Sequence, residues 1–128
     1  MSNIVKQVIV IRKDLKMRIG KEIAQASHAS MAFLLNQFES GIQSQTIKSD
    51  VPTLGWKETG HTKIGLRVDS EQELVDLHEA ALASGLKSHL ITDNGLTEFD
   101  GVKTKTALAI GPDYSVLIDK ITSNLKLY

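Results

Sequence analysis

Cysteine is absent from this 128-residue chain, which excludes disulfides, thiolate metal sites and a cysteine nucleophile. Proline and glycine are sparse, at two and nine residues, so a loop-dominated or low-complexity architecture is not expected. Long apolar runs are missing as well. The run from Val8 to Ile11 is far too short to span a bilayer and lacks the flanks of a signal sequence. No membrane association is expected, and the cytoplasm is the expected location. Nor is there an excess of either charge: 15 Lys and Arg balance 15 Asp and Glu, which argues against a generally basic nucleic-acid-binding protein. What is present, a near-average apolar share of 41%, suits a single globular domain over residues 1–128 with a real core.

The distribution of charge is less even than its sum. Lys6, Arg12, Lys13, Lys16, Arg18 and Lys21 face only Asp14 in the first 21 residues, whereas Asp69, Glu71, Glu73, Asp76 and Glu79 gather later. Two solvated faces of opposite sign would account for this pattern. Lys21 is harder to dismiss, because it falls in the first turn of an expected helix, where the helix dipole disfavours a cation. An anion at that position would reconcile the two.

Hydrophobic patterning gives an order of elements. Lys6 to Arg12 reads as a strand buried on both faces. From about Gly20 to Gln43, Ile23, Ser27, Ser30, Met31, Leu34 and Phe38 recur at helical spacing and predict one apolar stripe, with Lys21, Gln25 and His28 stacked on another side. Ile42 to Thr62 reads as an irregular connection with a short helical turn near Trp56. Lys63 to Val68 alternates as a strand, and Ser70 with Glu73 forms a capping box for a helix ending near Gly85. Ser88 to Thr92 and Thr104 to Ile110 are further strands around a long polar loop, Gly111-Pro112 is expected to stop the last of them, and a short helix follows. The predicted class is α/β, a small four-stranded mixed sheet with helices on both faces in the order β-α-β-α-β-β-α.

Common catalytic signatures are absent: no Gly-x-x-x-x-Gly-Lys-Ser/Thr, Gly-x-Ser-x-Gly or His-Glu-x-x-His occurs. The four histidines have no metal-ligand spacing, and no metal site is expected. Ser27 and His28 are adjacent on a helix and point about 100° apart, a poor nucleophile and base. Asp93 lies where an apolar strand runs out, a place for a reactive carboxylate. It also begins Asp-Asn-Gly, which suits a tight turn, and both readings stand. Thr97, Thr104 and Thr106 taken alone are ordinary strand and loop threonines.

Five segments taken together are more specific: "KQVIVIRKDLKM" (6–17), "GKEIAQASHA" (20–29), "GLKSHLITDNGLTEF" (85–99), "KTALAIGP" (105–112) and "IDKITSNLKLY" (118–128). In this order they resemble the second class of peptidyl-tRNA hydrolases, the archaeal and eukaryotic type. The resemblance implies a peptidyl-tRNA substrate, no metal or organic cofactor, and frequent homodimers. It places Lys21, Gln25, His28 and Asp93 on the family's motif positions and puts Thr97 and Thr106 near the site. The chain departs from the family pattern where Arg18-Ile19 replaces Gly-Lys, Asn94 replaces alanine, Leu96 replaces a commonly basic residue and Glu98 replaces glutamine.

The implied chemistry is ester hydrolysis with water as nucleophile. Asp93 is expected to orient and partly deprotonate the water, its pKa raised by the loop; Lys21 is expected to stabilise the developing charge, with Thr97 and His28 positioning substrate or water. Lys16 and Arg18, with Lys6 or Lys13 as further candidates, are expected to hold the acceptor stem by its backbone. Two rivals remain: a non-catalytic binding module of the same fold, and an esterase for small substrates.

Overall fold

The computed structural model describes residues 4–38 and 49–128. The first strand, β1 (Val5–Arg12), is the hub of the sheet, pairing in parallel with β2 (Lys63–Val68) and antiparallel with β4 (Thr104–Tyr114). Strand β3 (Ser88–Asp93) flanks β4, and a two-residue β5 (Lys126–Leu127) flanks β2, so the order is β3-β4-β1-β2-β5. The expected mixed sheet is therefore five-stranded. A strand of two residues is too short to show any alternation, and β5 exists because Tyr128 N–H and its neighbours find the free edge of β2.

Alternation along β1 sends Val8 and Val10 to one face and Ile9 and Ile11 to the other. The first pair packs with Leu74 and Ala81 of α3 (Glu71–Ala83) and Ile118 of α4 (Ser115–Thr122). The second meets Ala29 of α1 (Ile19–Leu35), along with Met17 and the β4 alanines Ala107 and Ala109. Alanine facing alanine brings α1 down close to β4, which matters for the site. At the far end of α1, Phe33 packs edge-on against Trp56 of α2 (Val51–Glu58) at 5.9 Å and 76°.

Helix α2 contains Trp56, where a short helical turn was expected, and extends it to eight residues within the connection otherwise expected to be irregular. Asp50 accepts a hydrogen bond from Thr53 N–H at 2.9 Å as N-cap, and Pro52 sits in the first turn, where its missing N–H costs nothing. Residues 39–48, which hold the rest of that connection and the predicted end of the first helix at Gln43, lie outside the described residues. Gly111-Pro112 does not stop β4 either. The pair falls in a register shift opposite Gln7, a bulge in which proline removes no ladder hydrogen bond, and pairing resumes at Asp113 and Tyr114.

The largest departure concerns α1. Part of its predicted stripe is turned outward, with Ile23 63% and Met31 50% exposed, while Leu34 is half-buried against the Phe33–Trp56 cluster and Glu22, Gln25, Ala29 and Phe33 are buried. Glu22 and Gln25 tolerate burial because each has partners. Lys13 Nζ donates to Glu22 Oε2 at 2.8 Å and the Tyr128 hydroxyl donates to Glu22 Oε1. Gln25 is held by Asp93 of β3 and Thr106 of β4.

Candidate functional site

Lys21, in the first turn of α1, and Asp93, at the end of β3, meet because α1 lies against β3 and β4. Lys21 Nζ donates to Asp93 Oδ1 at 3.0 Å and to Thr97 Oγ1 at 2.9 Å. An ammonium has three protons, so one remains for an incoming acceptor. Gln25 Nε2 also donates to Asp93 Oδ1, at 3.2 Å, while its carbonyl oxygen accepts from the buried Thr106 hydroxyl at 2.6 Å. Thr106 thereby fixes which end of the Gln25 amide faces Asp93. The second carboxylate oxygen accepts from Gly95 N–H at 2.8 Å. Asp93 thus forms the turn and faces Lys21 at once, one oxygen for each task.

These contacts overturn one expectation. Lys21's hydrogen bond, helped by Gly95 N–H and Gln25, outweighs desolvation and holds the Asp93 carboxyl below the usual carboxylate range. Asp93 is therefore an ionised acceptor that orients a proton donor, and a weaker base than an isolated aspartate.

A cleft of about 590 Å³ opens over this cluster, lined by Lys21, Gln25, His28, Asp93 and Thr97 with Arg18 and Glu98 at its side. His28 is exposed on the same helix face. Ser27 donates to the Ile23 carbonyl at 2.8 Å, consistent with rejecting a Ser27-His28 pair. Thr106 lies beneath Gln25 and does not line the cleft, and Lys16 is exposed in the loop before α1 but is not among the lining residues. Lys6 and Lys13 are committed elsewhere, to Asp119 and to Glu22.

Sequence reasoning missed two contributors. Gly95 gives its backbone N–H to Asp93 and packs so tightly that a Cβ there would lie 2.3 Å from the Val102 carbonyl oxygen. Its φ of +80° and the Asp-Asn-Gly pattern were the available signal. Glu98, noted only as a departure from a motif, accepts from Arg18 Nε at 2.9 Å across the cleft. Arg12 explains its own motif: it clamps Asp14 at 2.6 Å and donates to the Lys105 carbonyl at 3.1 Å, tying the loop before α1 to β4.

Among the described residues, no three His, Asp or Glu side chains gather as a metal site, and no helix is long and apolar enough to cross a membrane. Fold and cleft together define a class: a small α/β protein whose polar cleft combines an ammonium, a carboxylate and a hydroxyl, with no serine or cysteine among its lining residues. The family model described as "Peptidyl-tRNA hydrolase PTH2" matches residues 5–128, and the chain belongs to that family. A peptidyl-tRNA hydrolase of Methanopyrus kandleri is 42% identical over 122 residues, covering 95% of this chain and 97% of its own. Relatives of the same name from Aeropyrum pernix and Halobacterium salinarum are 39% and 41% identical, covering 96% of this chain and 95% and 99% of theirs.

Proposed function

We propose that this chain hydrolyses the ester bond joining peptide to tRNA in peptidyl-tRNA, acting as one domain. The observation that carries the mechanism is Lys21 Nζ held between Asp93 Oδ1 and Thr97 Oγ1. Water is the nucleophile, oriented by the remaining acceptor capacity of Asp93 and by Thr97. The proton that Lys21 has to spare points at the oxygen on which negative charge develops as the ester carbonyl is attacked. Free amides at the start of α1 add to that field. Asp93, already ionised, orients the water and takes up its proton as the carbonyl is attacked; when the bond from the carbonyl carbon to the ribose oxygen breaks, that proton passes to the ribose oxygen, leaving free tRNA and the peptide acid. Gln25, locked by Thr106, keeps the carboxylate from turning. The donor set supports a reaction without a protein-bound metal.

Arg18, His28 and, farther out, Lys16 bind the tRNA backbone and its terminal nucleotides without sequence readout. The reading places the protein in the cytoplasm. It also includes a homodimer, supported by an apolar groove of about 280 Å³ bounded by Ile9, Ile11, Ile19, Ile23 and Tyr128, on the flank of α1 away from Lys21.

The deciding experiment incubates purified protein with peptidyl-tRNA and with aminoacyl-tRNA and follows tRNA release on gels. Cleavage of the peptidyl form is expected. Binding without cleavage would leave the non-catalytic module, and cleavage of simple esters alone the small-substrate esterase. Sedimentation of wild type against Ile23→Asp tests the dimer: a monomeric wild type refutes it.

A further inference from the structure

Glu98 and Arg18 approach the cleft from opposite walls, one on the loop after β3 and the other at the N-cap of α1. Their exposure is unequal: the Glu98 side chain is 17% exposed and that of Arg18 is 81% exposed. The loop beneath Glu98 is closed on itself, by Gly101 N–H to the Gly95 carbonyl at 2.8 Å and Val102 N–H to the Phe99 carbonyl at 2.9 Å. The acid is therefore anchored and the cation presented. Arg18 spends Nε on Glu98, and its two terminal nitrogens have no partner among the described residues. Exposed ion pairs add little to folding stability, so stability does not account for the arrangement.

We infer that Glu98 is a positioning residue that holds Arg18 across the cleft mouth, its terminal nitrogens turned outward for a substrate phosphate. The inference rests on the peptidyl-tRNA reading and adds to it a residue that makes no favourable contact with the substrate itself. Arginine suits the role because its planar fork offers Nε to one oxyanion and keeps a second pair of donors for another. Without Glu98 the side chain must be ordered on each binding event.

The sign of the effect separates placement from simple charge. A carboxylate beside a polyanion repels it, so on Coulombic grounds alone Glu98→Ala should tighten binding. If Glu98 positions Arg18, Glu98→Ala should instead raise KM for peptidyl-tRNA and Kd for deacylated tRNA roughly three- to tenfold, the scale of ordering one long side chain on binding. The value of kcat should stay near wild type, since the lost contact is equal in ground and transition states. In an Arg18→Ala background the same Glu98→Ala change should lower KM or leave it unchanged, because only repulsion remains. Glu98→Gln, which keeps an oxygen for Arg18 Nε, should recover most of the loss. If alanine unfolds the loop, serine replaces it with the same expected sign.

Unchanged or lowered KM and Kd in Glu98→Ala with Arg18 present overturn the inference, as do equal KM rises in the two backgrounds. If wild type binds deacylated tRNA but cleaves no peptidyl-tRNA, the proposed reaction fails while the Kd series still decides the role of Glu98. If wild type binds no tRNA, both fail.

Discussion

Replacing Lys21 with methionine keeps the apolar stem and removes the charge. The ion pair it breaks is largely shielded, with Lys21 and Asp93 side chains 14% and 16% exposed, yet it lines an open cleft. Pairs near a surface contribute up to about 1 kcal/mol. Relief of the mismatch between a cation and the helix N-terminus returns about 0.3–1 kcal/mol. The two nearly cancel, so Tm should move by less than about 5 °C in a domain of this size. Activity should behave differently. Removing one donor aimed at a developing oxyanion costs about 10²–10³ in turnover.

The pH dependence sharpens the test. Asp93 has a folded-state pKa below its unfolded one, so its stabilising contribution is in place above the ordinary carboxylate range and is lost as pH falls through the folded value. Lys21 is the leading cause of that depression, so in Lys21→Met the acid limb of single-turnover cleavage should move upward, toward the ordinary range, and the part of the acid-dependent stability loss that Asp93 contributes should shrink. Cleavage rates and Tm measured across the acid range read both effects. Turnover within about threefold of wild type, or an acid limb that does not move, would refute the assignment of Lys21.

Asp93→Asn should fold and be nearly inactive, since the amide keeps an acceptor for Gly95 N–H but loses the charge proposed to orient water; retention of activity by gel assay refutes the role. Thr106→Val leaves the Gln25 carbonyl oxygen without its buried donor and should cost about 1–3 kcal/mol in denaturant unfolding, with a fall in kcat from the unlocked amide. In Gly95→Ala the new Cβ meets the Val102 carbonyl oxygen at 2.3 Å on a backbone with φ +80°, so Tm and activity should fall together. Chelator treatment should leave turnover unchanged once the magnesium requirement of the tRNA is met.

Local chemistry made much of this molecule legible. The β-branched run of β1, the Ser70-Glu73 capping box and the turn chemistry after Asp93 each encode an element within a few residues. The five motif segments carried Lys21, Gln25, Asp93 and Thr97 into one cluster. What was not legible depends on distant partners. Which side of α1 faces inward is decided by Tyr128 reaching Glu22 and Thr106 reaching Gln25, contacts 106 and 81 positions apart. Periodicity alone therefore turned Ile23 and Met31 toward the core and set Gln25 on another side, whereas the structure exposes the first two and buries the third. The Arg18–Glu98 pair was hidden for the same reason, its members being 80 positions apart.

The central position of β1 has a kinetic consequence. Its partners lie on strands beginning at Lys63 and Thr104, so no local hairpin forms around β1, and docking it between β2 and the β3–β4 hairpin must close long loops. Loop closure grows only logarithmically with length, but it is spent before the contacts repay it, and such topologies fold slowly. The cleft inherits this timing. Lys21 and Asp93 are 72 positions apart, so a chain with only its helices formed holds no partial version of the proposed site. On refolding from denaturant, catalytic competence should emerge in the final cooperative phase, after any burst of helicity.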